Sequence, residues 1–304
     1  KLQSNKNKLL KQVERLIRPQ KIRYSRNYKR CSRLSKDSKI IGVISIKGGV
    51  GKTSVTANIG AALAREFGKN VVIVDANFSA PNLGLHFGLT QPTVTLHDVL
   101  SNKVDIGDAI HEYDKNLHIV PGSLLNDKVN PYNLREKVKK LKAYYDIILL
   151  DSSPNLNDEL RAVMLAAEQL IVVTNPDFPT LSTTMHAVKV ARQKRVPIMG
   201  IILNKVRNKS FELSVEEIEE SCGVPVIGVL PENITMLESV AKTTPATLYK
   251  PNTNVAIEFK KIAASLIDAR YDDPRFSTKL KRIFSSDPNK EDVNRDMLRK
   301  GVMY

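Results

Sequence analysis

Lys47-Gly48-Gly49-Val50-Gly51-Lys52-Thr53 decides how this chain is read. An apolar run, 40–46, leads into it, and a helical pattern, 53–67, leads out, beginning Thr53-Ser54-Val55. Glycines let backbone N–H groups close around phosphate oxygens, and the start of a helix adds partial positive charge there. In such a loop Lys52 reaches the β- and γ-phosphates and the Thr53 hydroxyl sits on Mg²⁺. A merely structural Gly-rich turn is the alternative; the strand before and the helix after argue against it. The heptad points to a bound nucleotide.

Working outward, short apolar runs alternate with helical patterns from residue 39 onward. Strands are expected at 40–46, 71–75, 117–120, 146–151, 170–174, 198–203 and 226–230, and helices at 53–67, 132–143, 156–168, 180–194 and 212–222. Continuously apolar strands separated by helices predict an α/β fold, a mostly parallel sheet with helices on both faces. Ligands of such sheets gather at the carboxyl ends of the strands, where the Gly-rich loop lies. Two carboxylates end strands on that side: Asp75 closes Val71-Val72-Ile73-Val74, and Asp151 closes Ile147-Ile148-Leu149-Leu150. Asp151 in that place holds the Mg²⁺ shell. Asp146 opens the same strand and is expected at its far, solvent-facing end.

The form Lys-Gly-Gly-x-Gly-Lys-Thr, with a lysine at Lys47 opening the loop, resembles the deviant Walker A motif of the MinD/ParA family of P-loop ATPases. The likeness extends over about residues 39–270 and favours the MinD branch. It implies ATP or ADP with Mg²⁺ as cofactors, an ATP-dependent homodimer, and slow hydrolysis that releases a bound surface. It implies Lys52 acting on its own subunit's phosphates and Lys47 reaching across to those of the partner. The phosphate-binding set would be Gly48, Gly49, Val50, Gly51, Lys52, Thr53 and Ser54, with Thr53 and Asp151 on the metal. Asp151-Ser152-Ser153-Pro154 resembles the family's second switch. Leu203-Asn204-Lys205-Val206 resembles the segment whose Asn reads adenine, and Val229-Leu230-Pro231-Glu232-Asn233 the loop that covers the base.

One departure bears on catalysis. The first switch of that family reads Asp-x-Asp, its second Asp positioning the attacking water, whereas this chain has Asp75-Ala76-Asn77. An amide orients a water without accepting its proton, and general-base help is worth about 10²–10⁴-fold. Nucleotide binding is expected to survive this change and turnover to be slow. A non-hydrolysing, nucleotide-locked interaction module is the alternative, as is a DNA-binding partition ATPase of the ParA kind.

The formal net charge of +15 is concentrated at one end. Residues 1–39 hold fourteen Lys/Arg against Glu14 and Asp37, a net of +12, and the remainder nets only +3. The expected organisation is a basic arm, 1–38, an ATPase domain, 39–270, and a tail, 271–304. The arm suits nucleic acid or acidic lipid headgroups. A basic amphipathic helix is expected at 8–18, and Tyr24 and Tyr28 interleave with basic residues in a manner suited to phosphate contact and base stacking, or to packing of the tyrosines on the body. A solvated tail with no dedicated partner is the alternative for the arm as a whole. In the tail, Phe276, Leu280, Ile283 and Phe284 share a helical face, and 280–284 resembles the membrane-targeting helix of MinD proteins. A peripheral membrane contact at 276–284 is one expectation, docking of this helix on the body the other; an activating partner protein is expected as well.

Cys31 and Cys222 form no Cys-x-x-Cys pair, which speaks against zinc, Fe–S and the cluster-carrier relatives of this family. Free thiols suit a reducing cytosol. The first residues are basic without the apolar h-region of a signal peptide, and no apolar run approaches the roughly 18 residues of a membrane span. The expected location is cytoplasmic, with transient membrane or nucleoid association. The first residue is Lys1, and the true start is expected upstream.

Overall fold

The computed structural model describes residues 23–24, 37–124, 128–275 and 289–302. The expected helices at 8–18 and 276–284 lie outside these residues, as do Tyr28 and Cys31. Strands β1 (Arg23–Tyr24), β2 (Lys39–Ile44), β3 (Val71–Ala76), β4 (His111–Asp114), β5 (Leu117–Val120), β6 (Ile147–Ser152), β7 (Gln169–Thr174), β8 (Ile198–Val206) and β9 (Val226–Pro231) form one 9-stranded sheet in the order β1-β4-β5-β3-β6-β2-β7-β8-β9. From β5 to β9 every pairing is parallel; β4 is antiparallel to β5, and β1 is antiparallel to β4. The chain leaves central β2 toward β3 and returns to β7 on its other side, so the turn after β2 opens at a switch point of the topology.

The helices are α1 (Lys52–Phe67), α2 (Leu83–His86), α3 (Leu96–Leu100), α4 (Leu134–Lys139), α5 (Asp158–Ala166), α6 (Phe178–Gln193), α7 (Val215–Cys222), α8 (Ile234–Ala241), α9 (Ala246–Tyr249), α10 (Asn254–Leu266) and α11 (Lys290–Arg299). Alternation along the strands sorts two cores. Ile40, Ile44, Val72, Val74, Ile148 and Leu150 face one, which α4, α5, α6 and α7 cover. Ile41, Val43, Val71, Ile73, Ile147 and Leu149 face the other, under α1, α10 and α11. A parallel sheet buried on both faces needs both kinds of position apolar. Helix α1 ends at Gly68, which takes the left-handed conformation (φ 63°) and returns its N–H to Leu63 O, so the chain turns back into β3.

Several elements differ from expectation. The helix expected at 132–143 is a broken one: two 3₁₀ turns, Pro131–Asn133 and Lys140–Ala143, flank α4. Strand β4 reads His-Glu-Tyr-Asp and buries only its first residue, the polar signature of a strand near a sheet edge. Asp146 precedes β6 at the end remote from the Gly-rich loop, as expected, yet it is half-buried: its carboxylate accepts the N–H of Asn70 at 2.8 Å and closes the turn into β3.

The described residues beyond 270, 271–275 and 289–302, pack on the body. Asp273 and Arg275 join Glu258 and Lys261 of α10 in an ion-pair cluster. Helix α11 then lies along β9, the last strand of the sheet, with Leu298 in the core. Asn294 Nδ2 donates to Val226 O at 2.8 Å and Arg295 Nη1 to Ile227 O at 2.9 Å, so side chains of α11 satisfy carbonyls of that edge strand.

Candidate nucleotide-binding site

Strand β2 delivers residues 45–51 to the carboxyl edge of the sheet, and α1 begins at Lys52. Gly49 (φ 78°) and Gly51 (φ 90°) hold left-handed conformations that side chains resist. A Cβ added at Gly51 would also meet Asn204 Nδ2 at 2.3 Å. These two glycines make a tight backbone cradle at a helix N-terminus, which fits a phosphate group.

Beneath the cradle lies Asp151, at the end of β6 and 0% exposed. Its Oδ1 accepts Lys52 Nζ at 2.9 Å and the Thr56 hydroxyl at 3.2 Å; its Oδ2 accepts the Thr53 hydroxyl at 2.7 Å. Asp75 is the register partner of Asp151 across β3 and β6 and is equally buried. Burial first, and then the charge of Asp151, push the Asp75 carboxyl up to about 7, against the lowering effect of N–H groups from Leu83 and Asn77 and of Lys52. Two buried carboxylates share one buried ammonium. That donor set has room in charge for a divalent cation, so the residues fit Mg²⁺ carried by a nucleotide.

Asp75 also shapes the segment after β3. Its Oδ1 accepts Asn77 N–H at 3.3 Å and its Oδ2 accepts Leu83 N–H at 2.9 Å. Asn77, inside that loop, donates from Nδ2 to Ala80 O at 2.6 Å, while its buried Oδ1 has no hydrogen-bond partner among the described residues. An unpaired buried amide oxygen is costly, and here it leaves an acceptor for a ligand or an ordered water.

Lys47 lies at the mouth of the loop, half-buried. Its ammonium contacts Thr180 Oγ1 at 2.7 Å and Asp177 Oδ1 at 3.2 Å, and Asp177 is the N-cap of α6. On the other flank, β8 brings Asn204 Nδ2 to Val50 O at 2.8 Å, and the next residue, Lys205, brings its ammonium to Gly49 O at 2.8 Å. Pro231 ends β9, and Glu232 beyond it accepts a two-pronged contact from Arg207, at 2.6 and 3.0 Å, while its N–H reaches Val206 O. Gly48 is exposed beside Pro154, and Ser54 lies in the first turn of α1, its carbonyl taking Asn58 Nδ2.

The sequence-predicted residues therefore converge on one edge of the sheet. Reading the sequence missed Thr56, Asp177, Thr180 and Lys205. Thr56 was legible, one helical turn after Lys52 on a helix already expected. Asp177-x-x-Thr180 was legible as an N-cap pattern following a strand. Lys205 was not, because regular strand alternation sends it away from Asn204.

A family model described as the CobQ/CobB/MinD/ParA nucleotide binding domain matches residues 41–246. An uncharacterised ATP-binding protein of Methanocaldococcus jannaschii is 37% identical over 235 residues, 76% of this chain and 89% of that protein. The septum site-determining protein MinD of Synechocystis is 33% identical over 238 residues, 75% of this chain and 89% of its own length. The solved structure of the septum site-determining protein MinD complexed with Mg-ADP, from Pyrococcus horikoshii, matches with a TM-score of 0.71 at 36% identity, covering 75% of this chain and 96% of that one. On the strength of this match and of the loop geometry that accompanies it, the chain belongs to the CobQ/CobB/MinD/ParA family of nucleotide-binding domains.

Proposed function

We propose that this protein is an ATP-operated switch of the MinD kind, a slow ATPase that dimerises around ATP and positions or regulates a cellular structure. The observation that carries this reading is the buried cluster of Lys52, Thr53 and Asp151 under a glycine cradle, with a second lysine, Lys47, at its mouth. Lys52 binds phosphate in its own subunit, Thr53 and Asp151 hold Mg²⁺, and Asn204, Pro231 and Glu232 border the base. Lys47 leaves Asp177 and Thr180 to meet the nucleotide of the partner. Support for a paired state comes from apolar side chains on segments that leave the carboxyl ends of β7, β8 and β9: Phe178, Phe211, Ile234 and Leu237 are each about two-thirds or more exposed. That edge suits burial against a second copy with nucleotide between them.

Light scattering after size exclusion, with ATP and with ADP, tests the reading. The wild type should form a dimer with ATP alone. Lys52→Ala should lose nucleotide and dimer together. Lys47→Ala should bind ADP within about threefold of wild type, because its proposed contact with nucleotide is made only across the interface, yet remain monomeric with ATP. A Lys47→Ala protein that dimerises normally would remove the trans role.

Asn77 favours a second reading, a nucleotide-locked interaction module with no useful turnover. A measured hydrolysis rate separates the two. The arm, 1–38, with its strong positive charge, directs either version toward nucleic acid or an acidic membrane surface, and 276–284 toward a peripheral membrane contact; both fit a cytoplasmic protein that associates transiently with nucleoid or membrane. Release would then depend on an activating partner protein. No helix among the described residues is long and apolar enough to cross a membrane.

A further inference from the structure

We propose that Lys205 is a positioning residue of the phosphate-binding loop, turned onto it by a bulge in β8 so that two consecutive side chains grip two consecutive loop carbonyls. This role rests on the reading of residues 47–53 as that loop. In a regular strand, neighbouring side chains point to opposite faces of the sheet. Asn204 and Lys205 nevertheless both reach the same loop, at Val50 O and Gly49 O, each at 2.8 Å. The register of β8 against β9 explains how. Leu203 pairs with Val229 and Val206 with Pro231, so β8 carries one residue more than its neighbour between these points. Lys205 takes up the excess with a φ of 59°, a left-handed conformation. Bulges beside active sites re-aim side chains, and a long side chain stays left-handed only where its surroundings over-determine it.

The grip has a direct consequence for anion binding. A trans peptide unit is planar, with its C=O and N–H pointing in opposite directions. Fixing Gly49 O therefore fixes Val50 N–H, and fixing Val50 O fixes Gly51 N–H. Glycines at 49 and 51 leave the loop free to rotate these peptide planes, so the direction of each N–H must be imposed from outside the loop. Asn204 imposes one and Lys205 the other. With both carbonyls held outward, the N–H groups are presented to the cradle before phosphate arrives, which lowers the ordering cost of binding. Lys205 does not itself need to touch the nucleotide.

Hydrogen exchange of peptides covering 48–52 in the nucleotide-free protein, together with calorimetric titration of ADP and Mg²⁺, tests this role. Lys205→Met should speed exchange in those peptides and weaken ADP about tenfold, the low end for losing a hydrogen bond from a charged donor. Lys205→Arg, which keeps a cationic donor, should restore slow exchange and most of the affinity. Lys205→Gly relieves the backbone conformation while deleting the grip: it should melt no lower than wild type yet bind ADP as weakly as Lys205→Met. A merely structural lysine would lower stability and affinity together. Exchange and affinity both unchanged in Lys205→Met would overturn the role. Undiminished ADP binding by Lys52→Ala would instead overturn the reading of the loop, and exchange in the nucleotide-free Lys205 variants would still decide whether the grip exists.

Discussion

Lys52 Nζ stands 2.9 Å from Asp151 Oδ1, and the other oxygen of that carboxylate takes the Thr53 hydroxyl at 2.7 Å. In this arrangement the lysine proposed to bind phosphate and the two residues proposed to hold Mg²⁺ satisfy one another. On the proposed role of Lys52, entry of a phosphate would draw its ammonium away and leave Asp151, fully buried, without its cation. Removing one partner of a buried ion pair costs about 3–5 kcal/mol. Thr53 and Asp151, if they hold Mg²⁺ as proposed, would gain from the ion a positive charge that offsets that cost. ADP should therefore bind the wild type at least about tenfold more tightly with Mg²⁺ than in excess EDTA, a difference of roughly 1.4 kcal/mol. Asp151→Asn leaves no charge stranded, so its ADP affinity should be nearly the same with and without Mg²⁺. Equal Mg²⁺ dependence in both proteins by calorimetry would contradict this exchange of partners.

Asn77 is proposed to slow turnover, and it also holds the loop after β3. Its Nδ2 holds Ala80 O at 2.6 Å, and its buried Oδ1 has no partner among the described residues. In Asn77→Asp a carboxylate would gain the ability to accept a proton from water but would face the Ala80 carbonyl with an acceptor instead of a donor. Turnover should rise by about tenfold or more if this group limits hydrolysis, while the nucleotide-free protein loses about 1 kcal/mol or more from the broken contact. Steady-state phosphate release and thermal melting check the two effects. A rate that stays flat while stability falls would show that position 77 shapes the loop without limiting the chemistry.

What could be read in advance follows from how local each signal is. The run Ile40-Ile41-Gly42-Val43-Ile44 followed by the glycine loop specifies strand, turn and helix within a few residues, and Ile147 to Asp151 repeats the pattern of an apolar strand ended by an acid. These local signals placed Lys52, Thr53, Asp75 and Asp151 on one edge. Strand β1 was not legible, because Arg23 and Tyr24 gain their strand pairing from Glu112 and His111, nearly ninety residues away. Helix α8 was hidden for the opposite reason: it buries Thr235 and Ser239 and exposes Ile234, Leu237 and Val240, so its polar pattern faces inward. Lys205 needed the bulge, which depends on register with another strand.

Arg295 ties the C-terminal helix to the edge of the sheet. It is 3% exposed; Nη1 donates to Ile227 O at 2.9 Å, and Nη2 pairs with Asp292 and lies 3.9 Å from Glu258. Truncation in Arg295→Ala removes these contacts and bares a carbonyl of β9. A loss of about 2–4 kcal/mol in urea denaturation is expected, against less than about 0.5 kcal/mol for Lys300→Ala on the exposed end of the same segment. Arg295→Lys should recover little, since an ammonium cannot reproduce the planar fork that spans Ile227 O and Asp292. ADP affinity should be unchanged, because Ile227 lies near the start of β9, away from the carboxyl edge. Similar stabilities of Arg295→Ala and Lys300→Ala would show that Arg295 adds little to the docking of α11 beyond what Leu298 and Asn294 supply.

His118 sets a slope of stability with pH. It sits on β5, 4% exposed, its ring edge-on to Tyr145 at 5.5 Å between centroids, and its Nδ1 has no hydrogen-bond partner among the described residues. Burial pushes its pKa down to about 4. An unfolded histidine titrates near 6.5, so below about pH 6.5 the unfolded chain takes up a proton that the folded chain refuses. Stability from this group is full above about pH 6.5 and is lost as pH falls toward about 4. Burial lowers His111 and His86 as well, so they add to the slope in the same direction. His118→Phe keeps a ring against Tyr145 and removes the titrating nitrogen. Its melting temperature relative to wild type should therefore rise between about pH 7.5 and about pH 5, whatever the offset at neutral pH. A constant difference across that range would mean that His118 is protonated as readily in the folded chain as in the unfolded one.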